Sequence, residues 1–332
     1  MTPGAGAGAG SWREERDRAL LTLESARRRE QRIEAASVLV QLALEDRSRA
    51  EELAAHVPQL MANPDDRIRR LGVALAAAVL PPDEAERFLG DRLRDPSFDV
   101  RVEATGQLAD LARPSARGLL AAMLDDPSFS IRFEAARGMA ALHHPSGLEV
   151  LIEALDKDHF RFRALGALAE LGDARALPAV QRVYRRWFLP GFERTQAAGA
   201  MARLGDPAGA AWLLERTRKR RGLDRGLAVE LLGELKGVGA KERLLEILRD
   251  PDDPARGAAA RGLGRMGDAD ALAPLAALLQ DASAEEHDRL DAAEGLLMLG
   301  VPEGVHSVEA LAGKEAGTAF GRELRTLLEE YR

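Results

Sequence analysis

Six histidines, a glycine triplet and one cationic aromatic knot are the groups in this 332-residue chain whose types could do chemistry. The stretch "GLGRMG", Gly262 to Gly267, spells GxGxxG, the turn that lets a backbone cradle a pyrophosphate at a helix N-terminus. That chemistry needs a strand before the glycines and a helix opening after them. Here the glycines close a helical pattern, so a helix end is expected and a dinucleotide is not. His56, His143, His144, His159, His287 and His306 are scattered, and none sits in an HExxH motif. His143–His144 falls at a helix end where a sibling segment has Gly-Asp, which predicts a solvated turn. Cysteine is absent, which excludes disulfides, thiolate ligands and a Cys nucleophile. Serine is rare, and no GxSxG elbow occurs. The expectation is therefore no catalytic residue, no metal and no cofactor.

The knot is "RRWFLPGFER", residues 185–194. Arg185 and Arg186 can make two-pronged bonds to carboxylate or phosphate, and Trp187 and Phe188 can act as apolar anchors. A second basic run, Arg218, Lys219, Arg220 and Arg221, follows about 33 residues later. Residues 182–225 hold 11 basic and 4 acidic side chains, a net of +7, so the rest of the chain carries −14 of the total −7. These eight residues are the candidate partner-binding site, suited to an acidic or phosphorylated protein segment. Two other readings stand beside it: Trp187 covers the core and the arginines are merely solvated, or the patch holds a nucleic-acid backbone. A net charge of −7 argues against a general nucleic-acid or anionic-membrane binder.

Stepping along the chain, arginines recur at Arg32, Arg69, Arg101, Arg132, Arg161, Arg194, Arg225, Arg256, Arg289 and Arg322, in steps of 29 to 37 residues. Each opens a pattern of small or apolar residues at helical spacing, such as Ala135, Ala136, Met139 and Leu142. Most of these helices stop at Gly, as in "LGD" and "MGD", and a shorter amphipathic helix and a turn, often Asp-Pro, follow. The unit is helix, turn, helix, and only stacking can bury its apolar faces. Trp187 and Arg220 are 33 residues apart, so their turns should lie side by side. Phe98, Phe129 and Phe160 recur every 31 residues and are expected to seal turns onto the core. Five residues after the ladder arginine stand Gly106, Gly166 and Gly199; nine after stand Asp110, Glu170, Arg203, Glu234 and Arg265. That row reads either as a polar groove for a protein segment or as a solvated face. Residues 1–10, "MTPGAGAGAG", read as a flexible tail without the features of a secretory signal. No uncharged apolar run reaches about 18 residues, so no membrane span and a cytoplasmic location are expected.

The segments "DPSFSIRFEAARGMAAL" and "ARGLLAAML" resemble the HEAT-repeat family, in particular its short phycobilisome-lyase-like form, over roughly residues 11–332. The signatures of tetratricopeptide and ankyrin repeats are missing, and the period is shorter than the 40 to 47 residues usual for HEAT units. The resemblance implies an all-α fold: one right-handed α-solenoid, or superhelix, of about ten helix-turn-helix repeats. It also implies that the arginine-bearing helices line an inner, concave face, and that the turn Asp bonds a neighbouring Arg, as Asp126 and Arg132 would. Helical-repeat hydroxylases carry His-Glu dipeptides for iron, and this chain has none. The function so implied is a non-catalytic protein-binding scaffold or adaptor. The alternatives are bilin-lyase-like chromophore handling or chaperoning, and nucleic-acid backbone binding through the basic patch.

Overall fold

The computed structural model describes residues 6–46, 49–219, 222–235 and 239–331, and every regular element among them is helical. Of the expected Gly/Ala tail, residues 1–5 lie outside the described residues, and residues 6–10 begin the first helix. The chain forms two compact units, residues 1–154 and 155–332. The first contains α1 (Gly6–Ser25), α2 (Arg29–Glu45), α3 (Glu51–Ala54), α4 (Val57–Met61), α5 (Asp66–Val79), α6 (Pro82–Arg92), α7 (Phe98–Leu111), α8 (Arg117–Met123), α9 (Phe129–Ala141) and α10 (Leu148–Ala154). The second opens with α11 (Asp158–Leu171), α12 (Leu177–Tyr184), α13 (Gly191–Arg203), α14 (Pro207–Arg218), α15 (Arg225–Glu234) and α16 (Ala240–Arg249). It closes with α17 (Arg256–Met266), α18 (Leu272–Gln280), α19 (Glu286–Met298), α20 (Pro302–Lys314) and α21 (Ala319–Glu330).

Within each unit the arginine-bearing helices stack side by side. In the first, α2 lies on α5, α5 on α7 and α7 on α9; in the second, α11, α13, α15, α17, α19 and α21 follow one another. The intervening helices pack onto this row, as α6 does on α5 and α7, and α14 on α13 and α15. The all-α solenoid of helical hairpins is thus realised in each unit. The cores are built from Leu and Ala, including Leu60, Ile68, Leu75, Leu108 and Leu120 in the first and Leu213, Val229, Leu244, Leu263 and Leu296 in the second. Small residues let the stacked helices approach closely. A Cβ on Gly233 would overlap the Cα of Gly262, and one on Gly264 would overlap the carbonyl oxygen of Gly295. Two glycines of the GxGxxG stretch are therefore packing contacts within α17, and the third, Gly267, is its left-handed C-cap at φ 68°.

The arginine ladder clamps the turns. Arg69, Arg101 and Arg132 donate from Nη1 to the carbonyls of Asn63 (2.9 Å), Asp95 (2.8 Å) and Asp126 (2.9 Å), just beyond the ends of α4, α6 and α8. In the second unit Arg161 donates to Leu155 O (2.8 Å), Arg194 to Tyr184 O (3.1 Å) and Arg225 to Thr217 O (3.0 Å). Arg256 reaches Leu248 O (2.9 Å) and Arg289 reaches Leu279 O (3.1 Å). The last carbonyls of a helix lack intrahelical donors and form the negative end of its dipole, so a guanidinium satisfies both needs. At the C-terminal repeat this role passes from Arg322, which is exposed, to Arg325, which reaches Ala316 O at 3.2 Å.

The turn acid does not pair with the arginine of its own unit as expected for Asp126 and Arg132. Arg132 takes the Asp126 main-chain carbonyl, while the Asp126 carboxylate accepts from Ser128 N (2.8 Å) and faces Arg101 of the preceding repeat at 4.0 Å. Asp95 behaves likewise, accepting from Ser97 N (2.9 Å) and from both prongs of Arg69 (3.0 and 2.9 Å). Burial pushes the Asp95 carboxyl up, but Arg69 and the Ser97 N–H outweigh it and hold the carboxyl below its ordinary range. The most enclosed pair is Arg225 with Asp253, two bonds of 2.6 Å between side chains only 3% and 4% exposed.

Four of the arginine-bearing helices, α11, α13, α17 and α19, close with glycine in the left-handed region, at Gly172, Gly205, Gly267 and Gly300, fewer than the sequence implies. Two non-glycine residues do the same work, Ala112 (φ 47°) and His143 (φ 51°). His144 then stands where Asp173, Asp206 and Asp268 stand elsewhere. Those carboxylates each accept from the main-chain N–H two residues on at 3.0 Å, and His144 Nδ1 accepts from Ser146 N at 3.4 Å. The histidine pair is a turn, as the sequence implies.

Two stability outcomes follow from these contacts. Replacing Arg225 with Met strands the buried Asp253 carboxylate and should cost about 3–5 kcal/mol in urea unfolding; a loss below about 1 kcal/mol would mean the pair is not clamped. His143→Gly removes a side chain from the left-handed region and should stabilise by roughly 1 kcal/mol. A lower melting temperature for that variant would contradict the backbone assignment.

Candidate functional site

The turn between α12 and α13 spans residues 185–190, one residue more than the 93–97 turn between α6 and α7. Leu189, 8% exposed, plugs it into the core. Arg194 holds it from below, donating to Arg186 O at 2.9 Å and to Trp187 O at 3.4 Å. With Leu189 turned inward, Trp187 and Phe188 are forced outward and are 86% and 90% exposed. Their rings meet edge to face at 6.3 Å between centroids. The reading in which Trp187 covers the core is overturned; Leu189 does that.

The cations divide into committed and uncommitted groups. Arg186 is committed: its guanidinium pairs with Asp156 and reaches Leu155 O at 3.4 Å, and Arg182 approaches the same Asp156 at 3.5 Å. Arg218 pairs with Glu215 at 3.3 Å on an exposed surface. Arg185 and Lys219 are exposed, and among the described residues neither side chain makes a hydrogen bond. Arg185 instead acts at range on Asp206, whose carboxyl is held below its ordinary value first by Gln181, then by the Ala208 N–H, with Arg185 adding to both. Arg220 and Arg221 lie outside the described residues.

Arg220, which the spacing sets beside Trp187, lies outside the described residues, but the end of its turn lies against the start of α13. Asp224, the last residue before α15, accepts from Thr195 Oγ1 in the first turn of α13 at 2.9 Å and from Arg216 Nε at 2.9 Å. Arg216 and Thr195, opposed by burial, bring the Asp224 carboxyl down to about 2. Beside it Leu223 is fully exposed, an apolar residue of the second turn that its bland local sequence hides. The exposed apolar groups of the two turns are Trp187, Phe188 and Leu223, and Arg185, Arg218 and Lys219 are exposed cations of the same segments. Residues 182–225 contain no His or Cys. Among the described residues no cluster of three or more His, Asp and Glu could hold a metal, and no helix is long and apolar enough to cross a membrane.

A second feature lies on the face of α11, α13 and α15. A groove of about 460 Å³ is lined by Gly166, Glu170, Gln196, Arg203, Leu231 and Glu234, among others. Phe162 at its rim packs on Phe192 at 5.6 Å. Arg203 braces it, donating to Ala169 O (3.1 Å) and Glu234 (3.3 Å). The row of glycines and charges in the sequence points to this face; Gln196 carries no signal by itself. The phenylalanine row is less buried than expected: Phe98 is 44% exposed, and Phe129 lies against Phe133 with Arg132 over its ring.

These features define an α-helical repeat protein of stacked hairpins with a ladder of turn-clamping arginines. The HEAT-repeat model matches residues 86–165, 117–187 and 222–297, and the chain belongs to the HEAT-repeat family. No curated protein matches the sequence. Solved structures similar to it include an engineered protein at 19% identity, covering 96% of this chain and 98% of that one with a TM-score of 0.39. Human deoxyhypusine hydroxylase is 21% identical over 75% of this chain and 96% of its own, with a TM-score of 0.33. The CpcE–CpcF phycocyanin lyase complex from Nostoc is 19% identical over 96% and 94%, with a TM-score of 0.36. Such scores carry no inference about activity.

The Asp224 clamp yields a pH signature. Its carboxyl sits near 2 in the folded chain against about 3.8 when free, so its contribution is present above about pH 4 and is lost as pH falls toward 2. Arg216→Met should therefore cost roughly 2 kcal/mol at pH 7. The gap between variant and parent in denaturant titrations should close on acidification, and a pH-independent gap would contradict the assignment.

Proposed function

We propose that this chain is a non-catalytic protein-binding scaffold whose second unit captures a polypeptide through the edge at residues 185–190 and 218–224. The observation that carries the reading is the pair Trp187 and Phe188, held outward on a turn whose backbone is fixed by Arg194 and Leu189. Large aromatics left in water gain on contact what they forgo when exposed, and Trp beside Arg is the composition of binding hot spots. The Arg194 bonds and the inward Leu189 restrict the turn's backbone, which lowers the entropy lost on association. Arg185, Lys219 and Arg218 around the apolar tip suit an acidic or phosphorylated segment, with Arg185 best able to offer a full guanidinium fork. Arg186 contributes by holding the turn to Asp156, not by contacting a partner.

The test is affinity purification from the cell that makes the protein, comparing the parent with Trp187→Ser/Phe188→Ser. Loss of hot-spot aromatics of this size costs about 2 kcal/mol or more, so retained partners should drop at least about 30-fold while the melting temperature stays unchanged. Identical partner sets would overturn the reading. Retention of nucleic acid with a steep salt dependence would replace it with backbone binding.

A further inference from the structure

The groove on α11, α13 and α15 is the empty counterpart of an arginine site that the chain fills elsewhere. In the first unit Arg137, five residues after ladder Arg132, lies across α7 and α9. Its guanidinium bonds Glu134 (3.0 Å), Asp110 (2.7 Å) and Gly106 O (3.2 Å). In the second unit Arg261, five after ladder Arg256, similarly bonds Glu230 (2.8 Å) and pairs with Asp291. In register with the Arg137 site, counted from Arg161 and Arg194, stand Gly166 for Gly106, Glu170 for Asp110, Gln196 for Glu134, and Gly199 for Arg137 itself. The acceptors are kept and the guanidinium is gone.

The consequences are visible at each position. Glu170 is exposed, and among the described residues its carboxylate has no partner. Gln196 is only 9% exposed, lines the groove, and its side-chain amide likewise has no hydrogen-bond partner. Its Nε2 lies 3.2 Å from where a Cβ on Gly166 would be. The amide is not sealed in the core: it reaches the open groove, where an incoming donor finds it uncommitted. Among the charged lining groups Glu234 is paired with Arg203 and Glu230 with Arg261, which leaves the Glu170 carboxylate uncompensated and favours a cation beside it. We infer that this groove binds an arginine side chain of a partner polypeptide. The guanidinium would donate to Glu170, Gln196 Oε1 and Gly166 O in the manner of Arg137. The planar fork matters here, since a lysine ammonium cannot span three acceptors in one plane.

This inference rests on the reading of the chain as polypeptide-binding but uses residues separate from the aromatic edge. The test titrates the full chain with the fluorescein-labelled peptide Gly-Ala-Arg-Ala-Gly and its Lys and citrulline versions, followed by anisotropy. The Arg peptide should bind saturably, the Lys version at least tenfold more weakly, and the citrulline version not at all. Glu170→Gln should weaken binding about tenfold, and Gln196→Glu, which restores the acceptor of the filled site, should strengthen it. Gly199→Arg, which supplies the guanidinium internally and needs Leu231 to give way (2.9 Å from the new Cβ), should abolish binding. Trp187→Ser should leave peptide affinity unchanged even if it abolishes partner capture, so failure at the groove and failure at the edge are separable. Equal binding of Arg and citrulline peptides, or unchanged affinity in both Glu170→Gln and Gln196→Glu, would overturn the inference.

Discussion

The bond on which the rest depends runs from a ladder arginine, in the eight helices from Arg69 to Arg289, to the bare carbonyls at the end of the helix before it. A short helix buries little apolar surface, and its C-terminal carbonyls would otherwise need water at the seam between repeats. By filling that need from inside, the guanidinium fixes the angle at which one helix hands over to the next. The turn carboxylate then ties back to the arginine of the preceding repeat, as in Asp95 with Arg69 and Asp253 with Arg225. Cohesion passes along the row by nearest-neighbour contacts, with glycine-on-glycine approaches such as Gly233 to Gly262 setting the spacing.

Much of this was legible in the amino-acid sequence because it repeats. Ten arginines in near-register locate the helices, and Arg161 proves to be a rung, reaching Leu155 O across the same six-residue interval that Arg101 spans to Asp95 O. The partner of the arginine was not legible. Side chain and main chain of one residue, Asp126, share a sequence position, and only geometry tells the carbonyl from the carboxylate. The ladder also misleads at Arg322, where Arg325 makes the bond to the carbonyl instead.

At the candidate site, composition revealed the charge but not its commitments. Arg186 and Arg216 look free in the sequence, yet Asp156 and Asp224 hold them, from 30 and 8 residues away. What remains for a partner is more apolar than the sequence suggests: Trp187, Phe188 and Leu223, with Arg185 and Lys219 at the margin. The groove shows the converse. Its meaning lies in a missing residue, Gly199, and a gap becomes readable only when the repeat that fills it is superposed by register. A solenoid suits both devices, since a turn or a single rung can be altered for binding while neighbouring repeats keep the helices in place.

The account turns on whether the aromatic edge touches another polypeptide. The most direct measurement places the photoreactive residue p-benzoylphenylalanine at position 188 and, as a control, at the exposed Leu44 of the first unit. Irradiation in the native cell is followed by mass spectrometry of the adducts. A discrete polypeptide adduct should form from position 188 and not from position 44. Equal adducts from both positions, or none from position 188, would contradict it.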